Sequence, residues 1–251
     1  MTCARLLLFL SMALAALFPS CGFAAPDAAP PSPPARTFRV ISGGNWHSQP
    51  IKYDLNSRPV LIEAERSLSQ PFACPAGKLV LYNEIPAPPD AKPGTLPIKQ
   101  ILASLVLAPD QSRFLVVLVP DLAGKISFTV VPDAVEKHPA GTLRILNFSD
   151  YPAAVAINTQ QYTVPLGSND VIIPFASGGT LIQSAIQKSG KWIPTYRRER
   201  IARPRLHSYG FVFNFISEVD AKDTLPPPTT FTLIGELPPA LPTAPVQTSR
   251  R

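Results

Sequence analysis

The feature of this 251-residue chain that most restricts its fold is a strand pattern that occurs twice. Thr37-Phe38-Arg39-Val40-Ile41 is matched by Thr142-Leu143-Arg144-Ile145-Leu146, at an offset of 105. Pro71-Phe72-Ala73-Cys74 is matched by Pro174-Phe175-Ala176-Ser177, and Phe128-Thr129-Val130 by Phe231-Thr232-Leu233, both at 103. Ser112 to Leu118 is similar to Ser208 to Phe215. Four matches in the same order, at nearly constant offset, point to an internal duplication with a period of about a hundred residues. Cys74 opposite Ser177 then suggests a position that needs a small side chain rather than a thiol.

The repeated unit is built of strands. Alternating and β-branched runs dominate, and no stretch sustains apolar residues at helical spacing. The first set of predicted strands is Thr37 to Ser42, Val60 to Glu65, Lys78 to Glu84, Ile101 to Leu107, Arg113 to Val119 and Lys125 to Val131. The second is Thr142 to Phe148, Ala153 to Asn158, Asp170 to Phe175, Thr180 to Gln187, Tyr209 to Ile216 and Thr229 to Ile234. Short strands at this spacing predict an all-β fold, two tandem antiparallel β-sandwiches of immunoglobulin-like type. The sandwiches are expected over 37–132 and 142–236, joined by a linker at 133–141 where charge, Pro139 and Gly141 interrupt the apolar pattern. A unit of ~100 residues is large enough to bury its own core. The 31 prolines fall mostly in linkers, loops and the tail; 25–36 reads as a Pro-rich lead and 237–251 as a disordered Pro-rich tail.

Residues 1–24 have the three parts of a secretory signal. Arg5 supplies the charge, Leu6 to Phe18 is apolar apart from Ser11, and Gly22, Ala24 and Ala25 are small. The apolar run is too short to cross a hydrocarbon core of ~30 Å as a helix, so no transmembrane span is expected in the mature chain. Cleavage after Ala24 places the protein in the periplasm or outside a Gram-negative-type bacterium. Lipid attachment at Cys21 is the lesser alternative, since Phe18-Pro19-Ser20 fits the usual pattern poorly. Cys3 and Cys21 leave with the signal, so Cys74 stands alone and reads as a small buried hydrophobe. Export also argues against nucleic acid as a partner.

The motifs of hydrolytic, metal and nucleotide chemistry are missing. There is no Gly-x-Ser-x-Gly, no His-Glu-x-x-His, no phosphate-cradling Gly-rich loop and no Cys-x-x-Cys. His47, His138 and His207 lack ligand-type neighbours at metal-site spacing. Ser48 and Ser208 each follow a His, but neighbours on a strand point to opposite faces. Glu63 and Glu65, two apart on a predicted strand, are placed side by side rather than across a scissile bond. Trp46, after Gly43-Gly44-Asn45, can stack on a sugar or close one end of the first sandwich, and packing is the commoner use. No cofactor, metal or catalytic residue is therefore assigned. The expectation is a non-enzymatic binding or scaffold protein, with a hydrolase of dispersed site as the reading from the other class.

One segment has distinctive charge. Lys188, Lys191, Arg197, Arg198, Arg200, Arg203 and Arg205 lie between Lys188 and His207 with a single acid, Glu199. That stretch holds as much excess charge as the whole chain, formally +6. The corresponding part of the first unit, Asn83 to Gln111, is Pro-rich and apolar instead. Lys191 to Ile201 and Leu206 to Ile216 read as a basic hairpin turning near Arg203-Pro204-Arg205, with Arg198 and Arg200 on one face beside Tyr196. Guanidinium forks match carboxylates, sulfates and phosphates, so an anionic polysaccharide or an acidic protein is the expected partner. The binding residues would be Lys191, Tyr196, Arg197, Arg198, Arg200, Arg203 and Arg205. The competing structural reading is an edge strand kept from self-association by its charge.

Export signal, short lead, two similar sandwiches and a basic C-terminal half together resemble the periplasmic accessory protein of alginate O-acetylation. The closest local similarity is Leu143-Arg144-Ile145-Leu146-Asn147-Phe148-Ser149-Asp150, with Phe38-Arg39-Val40 resembling the opening of that family's first domain. Small exported β-sandwich domains of unknown function begin in a similar way. The resemblance implies a scaffolding role in exopolysaccharide O-acetylation and carries over no catalytic residue. The Pro86 to Pro97 loop and the arginine segment depart from it.

Overall fold

A computed structural model describes residues 36–43, 50–90, 92, 94–120, 125–175, 178–203, 205–214 and 229–236, and these belong to one compact unit. The proposed signal, Cys21, Trp46, His47, Ser48, Pro204 and the 237–251 tail lie outside them.

Among the described residues the chain is all-β. The first half holds β1 (Thr37–Ser42), β2 (Ile51–Leu55), β3 (Arg58–Ile62), β4 (Phe72–Ala73), β5 (Leu79–Ile85), β6 (Ile98–Leu105), β7 (Arg113–Pro120) and β8 (Ile126–Pro132). The second holds β9 (Thr142–Phe148), β10 (Ala153–Ile157), β11 (Gln160–Val164), β12 (Gly167–Pro174), β13 (Gly178–Lys188), β14 (Lys191–Ala202), β15 (His207–Asn214) and β16 (Thr229–Glu236). The sheets β3-β2-β5-β6 and β4-β1-β7-β8 form one sandwich; β11-β10-β13-β14 and β12-β9-β15-β16 form the other. Strand for strand the two orders are the same. Pairing is antiparallel except for β1 with β7 and β9 with β15, which run parallel.

The duplication extends to irregular features. The β2–β3 and β10–β11 hairpins both turn on an asparagine in the left-handed region, Asn56 at φ 51° and Asn158 at φ 54°. Asparagine tolerates that conformation better than other non-glycine residues, which suits a tight turn. Each sandwich also has a bulge on its sixth strand, opposite Leu81/Tyr82 in one and Ser184/Ala185 in the other. These landmarks correct two of the sequence matches. Phe38 pairs with Phe72, whereas Leu143 pairs with Ile173, so Phe72 corresponds to Ile173 and Cys74 to Phe175, not Ser177. Likewise Phe114, not Ser112, corresponds to Ser208. Both slips are of two residues. A strand repeats its faces every two residues, so a slip of two preserves the apolar pattern that generated the match. The matches of Thr37–Ile41 and Phe128–Val130 hold in register.

Among the described residues, three apolar cores hold the strands together. Phe38, Val40, Tyr53, Leu81, Phe114 and Val116 fill the first sandwich, and Leu143, Ile145, Val155, Ile182, Val212 and Phe231 the second. The third joins the sandwiches: Ile41, Leu115, Val117 and Val131 pack against Leu146, Phe148, Tyr209, Phe211 and Phe213. Self-sufficient halves were expected, yet β1, β7, β9 and β15 are buried on both faces. Burial on both faces is why the run Phe114 to Val119 has no polar interruption. At Gly43 a Cβ would lie 2.3 Å from the Phe213 ring, so the two sandwiches approach too closely there for any side chain. The 133–141 segment, read as a linker, carries the buried Asp133 and His138 into this contact.

Candidate functional site

The seven basic residues do not sit on the hairpin expected for them. β14 turns back on β13 through Ser189 and Gly190, both at positive φ (49° and 76°), and pairs with it along its length. β15 instead crosses to the other sheet, beside β9 and β16. The physical reason lies in the patterns. Gly178–Lys188 alternates buried and open and matches the half-open β14, whereas His207–Asn214 is buried throughout and belongs between two layers. β14 is therefore an edge strand of twelve residues.

Its register distributes the cations over both faces. Tyr196, Arg198 and Arg200 lie opposite Ser184, Ile182 and Thr180, on the core side of the sheet. Tyr196 packs on Phe231, with ring centroids 5.0 Å apart. Arg198 and Arg200 continue that face where it emerges into solvent, and Arg200 Nε donates to Tyr196 Oη at 3.3 Å. Arg197, opposite Gln183, points to the outer face. Lys191, Arg203 and Arg205 are exposed as well. Among the described residues no carboxylate pairs with Arg197, Arg198 or Arg200. A guanidinium without a carboxylate partner keeps its paired terminal N–H groups for an incoming anion.

Alternation puts a second set of side chains on the outer face of the same sheet. Ala154 pairs with Ala185, Ala156 with Gln183 and Gln161, and across the bulge Ala185 with Pro194. Trp192, opposite Gln187, is 47% exposed. Together they form an open groove of about 470 Å³, with alanines for a floor and Trp192, Gln161, Gln183 and Arg197 around it. Nothing in the sequence singles out Trp192, because its place on the outer face follows only from the bulge and the β13 register.

The other candidates resolve into structure. Glu63 and Glu65 lie beyond the end of β3 at Ile62, not on a strand as expected. They line a shallow depression with Ser67, Ser69 and Gln70, and Ser67 Oγ donates to Glu65 at 3.2 Å. His138 and His207 are buried, with ring centroids 5.1 Å apart, and His138 also meets Tyr209 edge-on at 4.5 Å. Burial, reinforced by His207 and Arg144, lowers the His138 pKa to about 4. Cys74 is half-buried beside the first core, and loss of hydration raises its thiol pKa above the ordinary value. In the segment 143–150, Arg144 bonds the buried Asp133, and Asn147 organises its turn through Ser149 and the Tyr151 carbonyl. No protein-family model matches the chain, and no curated protein does.

Proposed function

We propose that this chain is an exported, non-enzymatic binding protein that recognises a polyanion through its second sandwich. The observation that carries the reading is the run Arg197, Arg198 and Arg200 on an edge strand, exposed and without carboxylate partners among the described residues. An acidic partner would gain charge-assisted hydrogen bonds there without first displacing an internal carboxylate. The first sandwich has no such run: its own sixth strand begins Ile98-Lys99-Gln100 and otherwise is apolar or small.

The test compares the wild type with the Arg197→Ser, Arg198→Ser, Arg200→Ser triple variant for retention on an anionic resin and affinity for alginate-type chains. Wild-type binding is expected to fall steeply with salt, since exposed charges are screened over ~8 Å at physiological ionic strength. The variant is expected to lose binding while changing stability by only about 0.5 kcal/mol per site. Equal, salt-insensitive behaviour of the two proteins overturns the reading. So does a variant that aggregates but still binds, because the arginines would then serve to protect the edge. Export is tested separately by N-terminal sequencing of cell-derived protein: a start at Ala25 supports it, and an acylated Cys21 replaces it with membrane anchoring.

A further inference from the structure

The outer faces of the two sandwiches occupy equivalent places but are built for opposite purposes. The Asn56 and Asn158 turns align β2 with β10, so Lys52 corresponds to Ala154 and Asp54 to Ala156. The paired bulges align β5 with β13 and β6 with β14, so Tyr82 corresponds to Ala185, and Lys99 to Trp192. The cross-strand pairs agree: Lys52 lies opposite Tyr82, and Ala154 opposite Ala185.

In the first sandwich these positions close the face. Lys52 Nζ donates to Glu84 at 2.6 Å, Lys99 Nζ to Asp54 at 2.8 Å, and Tyr82 Oη to Asp54 at 2.7 Å. Lys99 also lies over the Tyr82 ring, 4.2 Å from its centroid, and leaves that ring 2% exposed. Hydrogen bonds from Lys99 and Tyr82 hold the Asp54 carboxyl below its usual range. Lys52, Asp54, Tyr82, Glu84 and Lys99 have thus all found partners within the protein.

In the second sandwich three of the four positions are alanine, and the fourth is an indole left 47% exposed. Where the network stood there is a groove of about 470 Å³, within the ~300–1,000 Å³ usual for ligand sites. The rim has also changed. Gln161 stands where the first copy has Pro59, Gln183 where it has Val80, and Arg197 where it has Ser104. A flat apolar ring, amides that donate and accept, and one guanidinium make a particular combination. It suits a ligand with a C–H face, many hydroxyls and a carboxylate. Trp192 and Arg197 lie opposite Gln187 and Gln183, four residues apart on β13, a separation of about 13 Å along a strand. That length accommodates more than one sugar ring.

We infer that the outer face of the β11-β10-β13-β14 sheet is a binding groove for an acidic polysaccharide of uronic-acid type. Trp192 stacks on a sugar ring, the amides of Gln161 and Gln183 bond hydroxyls, and Arg197 holds a carboxylate. The excess positive charge of Lys188 to Arg205, on β14 and at its two ends, favours a polyanionic chain over a neutral glycan. The inference rests on the polyanion reading above and adds the ligand class and the face it occupies.

The test uses the full chain carrying Trp46→Phe, so that Trp192 is its sole tryptophan. Short oligouronates prepared from alginate are titrated by fluorescence and calorimetry, with poly-glutamate as the non-sugar polyanion. Oligouronate is expected to shift Trp192 emission. Trp192→Ala should weaken its binding by about tenfold, the scale of losing one aromatic face. Ala185→Tyr, which restores the residue of the first copy, should block oligouronate and spare poly-glutamate, with circular dichroism and melting temperature unchanged. Wild-type oligouronate affinity in both variants overturns the groove, and loss of binding in the triple arginine variant would then leave the polyanion reading intact. Poly-glutamate binding that is lost in the same two variants overturns the ligand class in favour of acidic peptide. Failure of both polymers to bind at low salt removes the polyanion reading itself, and this inference with it.

Discussion

Arg144 Nη1 donates to Asp133 Oδ1 at 3.2 Å and thereby joins the first strand of the second sandwich to the residue that follows the last strand of the first. The same carboxylate accepts Tyr209 Oη at 2.9 Å and Arg113 Nη2 at 3.1 Å, and Arg39 Nη2 lies 3.7 Å away. Arg39 and Arg144 are the arginine of the duplicated Thr-x-Arg motif, so two copies of one residue converge on a single acid. Arg144 Nε additionally bonds Asp170, and its Nη2 the Pro132 carbonyl at 2.9 Å.

Removing that acid would leave buried cations without compensation, the situation in which a buried ion pair matters most. Asp133→Asn is expected to lower unfolding stability by about 3 kcal/mol, seen as a lower urea midpoint. Arg198→Ser, on the exposed edge strand, is expected to stay within about 0.5 kcal/mol of wild type. Equal midpoints for Asp133→Asn and wild type would show that the cluster contributes nothing to stability.

His138 gives the molecule a pH dependence. Its folded pKa of about 4 lies below the ordinary histidine value of 6.5, so the unfolded chain takes up a proton first as pH falls. Stability is then full above pH 6.5 and declines as pH drops toward 4, below which both states are protonated and the loss stops growing. The total is up to about 3 kcal/mol. Urea midpoints measured across this window should fall for the wild type, and His138→Phe should flatten the decline.

How much of this was legible in the chain depends on what each residue answers to. β1 and β9 were readable to the residue, because alternation and the repeated arginine mark them independently of any partner. β2, β4 and β11 were missed: the first is broken by Lys52 and Asp54, the second has two residues, and the third begins with two glutamines. The exposed arginines stood out as composition, but their strand partner did not, since pairing is decided by the need to bury β15 on both faces. Trp192 and the alanine floor carry meaning only relative to Lys99, Lys52, Asp54 and Tyr82. That comparison needs a register correct to one residue, which short apolar words with period two cannot supply.

Gly43 and Phe213 offer a direct probe of the contact between sandwiches. A Cβ at Gly43 would meet Cδ1 of the ring at 2.3 Å, well inside van der Waals contact, so Gly43→Ala must displace a packed aromatic. Overpacking of this kind costs about 1–3 kcal/mol. Phe213→Leu alone should also destabilise, yet the double variant should cost less than the sum of the two. A coupling of about 0.5 kcal/mol or more in this cycle is the expected result, and strict additivity would place the residues apart in solution.

The third core bears on whether either half can exist alone. Ile41, Leu115, Val117 and Val131 are each at most 1% exposed because the second sandwich covers them. Cutting the chain before Asp133 would uncover this row together with the charged side chains of Arg39 and Arg113, now without their carboxylate. A contiguous apolar patch of that kind favours self-association. The fragment 36–132 is therefore expected to sediment as oligomers or bind a hydrophobic dye, although its own core is complete. The intact chain should unfold in a single transition, with coincident curves from circular dichroism and tryptophan fluorescence. Leu115→Lys with Val117→Thr should restore a monomeric fragment while uncoupling the transitions of the full chain. A wild-type fragment that is monomeric and cooperative would show that the duplicated units remained independent and that the shared core is a later addition of little energetic weight.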